Sequence, residues 1–232
     1  MNFAEPEAFM SLPADHPRLK KRPYSVDELI ADGFVHALAI VAGLIAFGIL
    51  INQAVARGAV SEAFAFGAYA AGFFLLFGFS CAYNMTPPSN LKWLLRRFDH
   101  ASIYVMIAGT YTALLSQLPQ GWLPWALAAF VWVVALGGAL VKIFFAGRFD
   151  RASLFVYLAL GWVGVVAAKS LIDHLPLGTL ILTLAGGLLY SIGVVFYRWH
   201  TLKFQNAIWH GFVALAAGCQ YAGIAQAVAA GR

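Results

Sequence analysis

The chain has 232 residues, of which 62% are hydrophobic and only 11% charged. Soluble domains run to roughly 45–50% apolar and about 25% charged residues, so a water-soluble core that hides this much apolar surface is excluded. The formal charge of +5 is compatible with nucleic acid in principle, but the placement of the basic residues argues for membrane orientation instead, and no nucleic-acid partner is expected.

In chain order, residues 1–26 are polar and proline-punctuated. They read as a cytoplasmic N-terminal tail without the apolar core of a cleavable signal peptide. Residues 27–232 form the membrane domain. Seven continuous apolar runs follow, at about 30–53, 62–84, 100–118, 122–144, 152–171, 177–197 and 207–229. Each approaches the roughly 20 residues that a helix needs to cross a hydrocarbon core about 30 Å thick. The runs are continuous rather than alternating, which favours helices over a barrel. Gln117-Leu118-Pro119-Gln120-Gly121 separates the third and fourth runs as a tight turn, and Asp173-His174-Leu175-Pro176 breaks the chain before the sixth. The predicted fold is an all-α bundle of seven transmembrane helices. Cys81 and Cys219 fall inside apolar runs and read as small buried hydrophobes.

Charge placement tests the count. The tail and the second, fourth and sixth loops hold twelve of the fifteen Lys and Arg residues, leaving Arg57, Lys169 and Arg232 on the opposite side. Positive residues favour the cytoplasm, so the N-terminus is expected inside and the C-terminus outside. Trp93, Trp122, Trp125, Trp199 and Trp209 fall near predicted helix ends, as interfacial anchors do.

Polar side chains within such spans are costly and ask for a reason. The predicted topology places Asp32, His36, Ser80, Asn84, Asp99, His100, Tyr104, Asn206 and His210 near the cytoplasmic end of their helices. Asp32/His36, Ser80/Asn84 and Asn206/His210 are pairs four residues apart, each on one helix face. Carboxylate, imidazole and hydroxyl groups at one depth suit a metal, a proton relay or a lipid headgroup. The competing reading is interhelical glue, worth about 0.6–2 kcal/mol per hydrogen bond. Nothing in the spacing spells out Ser-His-Asp logic for Ser80.

Three blocks carry a family resemblance. The first is Tyr24-Ser25-Val26-Asp27-Glu28 followed by His36. The second runs from Phe79-Ser80-Cys81-Ala82-Tyr83-Asn84 through Arg97-Phe98-Asp99-His100-Ala101-Ser102-Ile103-Tyr104 to Ala108-Gly109-Thr110-Tyr111-Thr112. The third is Asn206-Ala207-Ile208-Trp209-His210-Gly211-Phe212-Val213. The chain resembles the hemolysin III family, the bacterial branch of the progestin and adipoQ receptor proteins. That resemblance implies a seven-helix fold, an intramembrane zinc site near the cytoplasm, and kinship with membrane hydrolases of lipid amides. It implies catalytic roles for Ser80, Asp99 and His210, with His210 as metal ligand.

The match is partial. Asn84, Asn206 and Gln220 stand where the family usually offers histidine. Zinc prefers Cys, His and carboxylate ligands, and without a metal a bound water loses the agent that lowers its pKa. The expectation is therefore no cofactor, with zinc as the alternative, either at the family position or at a rearranged site of His36, His100 and His210. The expected function is a metal-poor, non-catalytic lipid-binding or membrane-homeostasis protein of the bacterial cytoplasmic (inner) membrane. A zinc-dependent lipid-amide hydrolase and a pore or transporter are the alternatives. The expected partners are membrane lipids.

Overall fold

The computed structural model describes residues 24–231, so most of the expected tail lies outside the described residues. All regular structure among them is helical: α1 (Val26–Ala56), α2 (Val60–Met85), α3 (Asn90–Leu115), α4 (Trp122–Phe144), α5 (Asp150–Trp162), a 3-10 turn (Val163–Ala167), α6 (Ala168–His174), α7 (Leu177–Arg198) and α8 (Gln205–Ala230). Six stretches are long and apolar enough to cross a bilayer, with Asp150–His174 counted as one broken stretch.

The remaining long helix, α3, begins ten residues before the apolar run that predicts it at 100. Its first turns carry Lys92, Arg96, Arg97 and Asp99, which hydropathy alone reads as loop. Tertiary contacts hold them in helix. Ser89 Oγ caps the start, accepting from the Lys92 N–H at 3.1 Å. Lys92 Nζ then donates to the carbonyls of Tyr83 (2.7 Å) and Thr86 (2.6 Å), satisfying the end of α2.

α1 shows why the chain belongs in lipid. Its inward stripe includes Glu28, Asp32, His36, Ala39, Gly43 and Phe47, all buried. Its outward stripe includes Ile30 and Phe34, each 67% exposed, and Leu38, Val41 and Ile45. The polar groups face in and the branched apolar ones face out, the reverse of a helix docked on a soluble core.

The helices form a ring in which α4, α3, α2, α1, α8 and α7 pack in that order, and α5 with α6 closes it loosely against α3, α4 and α7. The tightest crossing is α2 on α3. A Cβ at Gly109 would lie 2.6 Å from the Ala68 carbonyl oxygen, and one at Gly72 would lie 2.8 Å from Met106 Cα. Close backbone approach of this kind is how small residues drive association where lipid removes the hydrophobic difference.

The fifth apolar run is not one helix. The 3-10 turn interrupts it, and Tyr111 supplies the partners that the break removes. Its hydroxyl donates to the Gly161 carbonyl at 2.7 Å and accepts from the Gly164 N–H at 2.8 Å. Of the anchoring tryptophans, Trp122 is 80% exposed and Trp125 67%. Trp93 is buried instead, under Arg96.

Candidate functional site

Basic residues gather at the end of the bundle where α1, α3, α5 and α8 begin and α2, α4 and α7 end; we call it the basic end. Two contacts set the register of its polar site. Glu28, buried one turn before Asp32, accepts from the Ser25 N–H (3.0 Å) and hydroxyl (3.1 Å) at the start of α1. Its other oxygen accepts from the Phe204 N–H at 2.9 Å. Phe204 caps α8 in the left-handed region, at φ 59°, so one carboxylate fixes the start of both helices.

From there a continuous hydrogen-bonded chain runs inward. The Tyr24 hydroxyl donates to Asn206 Oδ1 at 3.2 Å. Asn206 Nδ2 donates to Asn84 Oδ1 at 2.8 Å. Asn84 Nδ2 donates to the Ser80 carbonyl at 2.9 Å and to Ser80 Oγ at 3.3 Å. Ser80 Oγ lies 3.1 Å from His210 Nε2, and His210 Nδ1 lies 2.5 Å from Asp32 Oδ1. His36 Nδ1 closes the chain on the Asp32 carbonyl at 2.8 Å. The network assigns the protons. Nδ1–H of His210 donates to Asp32, which leaves Nε2 to accept from the Ser80 hydroxyl. Each carboxamide is oriented by the one before it.

Ser80, His210, Asp32 and His36 are all buried. Two buried atoms in the group have no hydrogen-bond partner, Asp32 Oδ2 and His36 Nε2, and groups of that kind ask for a reason. The imidazoles of His36 and His210 meet edge to face, with centroids 4.4 Å apart.

A cavity of about 560 Å³ opens beside this chain, lined from α2, α3, α5, α6, α7 and α8 and by Lys142 of α4, with no residue of α1. Ser80, Asn84, Asn206 and His210 form part of its wall at the basic end, together with Asp99 and His100. Asp32 and His36 are not on the wall; they stand behind His210. Farther along, the lining is mostly apolar and includes Ile107, Leu114, Leu158 and Leu184, with Thr183, Tyr190 and Gln220 as polar members. Val165, Ile172 and Leu184 both line the cavity and are more than half exposed, at 66%, 64% and 53%. The cavity therefore opens sideways, between α5–α6 and α7.

The structure brings together Asp32, His36, Ser80, Asn84, Asn206 and His210. Asp99 shares the cavity wall but not the chain; its carboxylate lies 4.0 Å from His100 Nε2, and the carboxylate that reaches His210 is Asp32. Tyr104 turns away, packing on Tyr157 at a centroid distance of 4.5 Å and against Gly138. Gln220 lines the cavity ten residues beyond His210, about 15 Å along the helix, and donates to the Thr183 carbonyl at 3.0 Å. Sequence reasoning placed no weight on Glu28 as a site organiser. The Ser25-x-x-Glu28 spacing of a capping box was the signal.

The positions where the resemblance implies zinc ligands do not fit the metal. Asn84 and Asn206 direct their carboxamides at each other and at Ser80, and His210 is the one imidazole among those positions. A different donor set exists: ligand atoms of Asp32, His36 and His210 all lie within 4.8 Å of one another.

Comparison with known proteins identifies the family. The family model described as haemolysin-III related matches residues 26–221. Hemolysin-3 of Bacillus cereus is 40% identical over 188 residues, covering 81% of this chain and 86% of that protein. The Hemolysin-3 homolog of Bacillus subtilis (strain 168) is 37% identical over 190 residues, covering 82% and 89%. Human monocyte to macrophage differentiation factor is 33% identical over 124 residues, covering 53% and 51%. With an all-helical ring that is apolar on its outside, and a family match spanning nearly all of its helices, this chain is a multi-pass membrane protein of the haemolysin III-related family.

Proposed function

We propose that the protein binds a single-chain or single-acyl lipid segment in the central cavity, with the lipid's polar end at the Ser80–His210 wall. The observation that carries this reading is the cavity itself. It has the volume of a small-molecule site, its lining is richest in polar groups at the basic end and mostly apolar beyond, and its opening is flanked by the exposed apolar side chains of Val165, Ile172 and Leu184, which supports entry from lipid. In this reading α3 also crosses the membrane, giving seven spans. The basic end is cytoplasmic, by the distribution of Lys and Arg, and the membrane is the bacterial cytoplasmic (inner) one.

A photoactivatable fatty-acyl lipid, incorporated with the purified protein in nanodiscs, tests the reading. Crosslinks are expected on peptides bearing Ile107, Leu158 and Leu184, and they should compete with unlabelled lipid. Crosslinks confined to the outward stripe of α1 would refute it.

A second reading has a specific observation behind it. The unpartnered Asp32 Oδ2 and His36 Nε2 lie with His210 in a group of suitable ligand types. A metal held there would sit behind the cavity wall, adjacent to His210 rather than in open contact with a substrate. Metal analysis of the purified protein tests this reading, and about one zinc per chain lost in His36→Ala would support it.

A further inference from the structure

We infer that Ser80 is a nucleophile, activated by His210 and Asp32, that takes up the acyl group of a carboxylic ester lying in the cavity. The inference rests on the lipid-binding reading of the same cavity. Its warrant is an ordered set of contacts. Asp32 Oδ1 holds His210 Nδ1 at 2.5 Å, and His210 Nε2 meets Ser80 Oγ at 3.1 Å. That is the order acid, base, hydroxyl which generates a serine nucleophile, recognised by geometry and roles rather than by sequence order.

Access agrees with the roles. Ser80 and His210 lie on the cavity wall, where a substrate reaches them, and Asp32 lies behind the imidazole. Ser80 sits inside α2, where backbone N–H groups are committed to the helix, so an oxyanion needs a side-chain donor. Asn84 Nδ2, one turn away, is that donor: the N–H that rests on Ser80 Oγ at 3.3 Å turns to the substrate oxygen once Oγ is bonded to the acyl carbon. The Tyr24–Asn206–Asn84 chain holds its amide edge towards Ser80. On this account the carboxamides that stand in place of the zinc ligands implied by the resemblance are parts of a different site.

The step balances without a metal. Ser80 Oγ attacks the carbonyl carbon while its proton passes to His210 Nε2. The bond from that carbon to the ester oxygen breaks, and the leaving alkoxide takes the proton from His210. Water then attacks the acyl-serine by the reverse route and releases the carboxylic acid. Ser80, His210 and Asn84 touch the reacting atoms; Asp32, Asn206 and Tyr24 are positioning residues.

The full chain in nanodiscs is treated with an alkyl fluorophosphonate, and the modified peptide is identified by mass spectrometry. The photo-lipid crosslink is measured in parallel. One adduct per chain at Ser80 is expected, unchanged by a chelator and absent in Ser80→Ala that still crosslinks lipid. Asp32→Asn should slow the maximal labelling rate by about 10⁴-fold, the loss seen when a triad acid no longer sets the tautomer. The half-saturating probe concentration should stay constant, which a purely structural role for Asp32 would not produce. Asn84→Leu should slow labelling by about 10²–10³-fold. Lipid crosslinking without an adduct at Ser80, or with adducts only at other serines, overturns the nucleophile and leaves the cavity reading standing. Absence of both overturns both. Labelling lost on chelation and regained with zinc overturns the metal-independent step in favour of the Asp32–His36–His210 site.

Discussion

Glu28 offers the clearest test of how the site is assembled. It is buried and joins the first turn of α1 to the first residue of α8 through one carboxylate. Glu28→Ala removes the acceptor for the Phe204 N–H and for the two Ser25 donors. A hydrogen bond to a charged group is worth about 1.5–3 kcal/mol, and a buried N–H left unpaired costs about 1–3 kcal/mol. The Ser25 pair shares one oxygen and lies nearer solvent, so it counts as one bond at most. The expected loss is about 3–5 kcal/mol in total. At roughly 2–4 °C per kcal/mol for a chain of this size, the melting temperature in detergent should fall by about 6–20 °C. Glu28→Gln keeps an acceptor for Phe204 but presents a donor amide to one side, and should fall between. The assay is intrinsic tryptophan fluorescence on heating, with lipid crosslinking read at low temperature. A Glu28→Ala melting temperature within about 2 °C of the parent would refute the claim that this carboxylate sets the helix register.

Other outcomes follow from the same contacts. Gly109→Ala forces a Cβ against the α2 backbone and should destabilise by about 1–3 kcal/mol; Gly137→Ala, with nothing near its Cβ, should be neutral in the same melting experiment. Tyr111→Phe leaves the Gly161 carbonyl and Gly164 N–H without their partner; hydrogen exchange over 161–167 should rise well above that of α7, and unchanged exchange would count against the pinned break. Lys142 is buried and ion-paired to a half-exposed Asp150 at 2.8 Å, so Lys142→Ala should cost about 1–3 kcal/mol, less than a fully buried pair because water screens one partner. In a Cys81→Ser, Cys219→Ser background, Arg148→Cys should react with an impermeant maleimide only from the cytoplasm, and Gln120→Cys only from outside; labelling of both from one side would contradict the proposed topology.

The helices were largely legible because lipid imposes a simple code: long apolar runs, punctuated by Pro119-Gln120-Gly121 and Leu175-Pro176. Two features escaped it for one reason, that tertiary partners override hydropathy. The charged start of α3 is helical because Lys92 reaches the end of α2 and Arg96 reaches Asp150 at 2.7 Å. The break at 163–167 is stable because Tyr111, fifty residues earlier, satisfies it. The site was legible as a set of same-face pairs but not as a mechanism. Spacing placed Asp32, Ser80 and His210 at one depth; it could not tell that Asp32 rather than Asp99 faces the imidazole. That choice depends on the rotation of α1 against α8, which Glu28 fixes through Phe204. Tyr104, one turn from His100 in sequence, turns towards Gly138 because the missing side chain there leaves room for its ring.

Native mass spectrometry of the detergent-extracted protein tests the central claim, a lipid cavity inside the ring, most directly. The prediction is a discrete population carrying one bound lipid, which survives activation that strips the annular lipid. That population should shrink in Ile107→Trp, where an indole occupies the apolar end of the cavity. A chain that sheds all lipid together, with Ile107→Trp indistinguishable from the parent, would contradict the account.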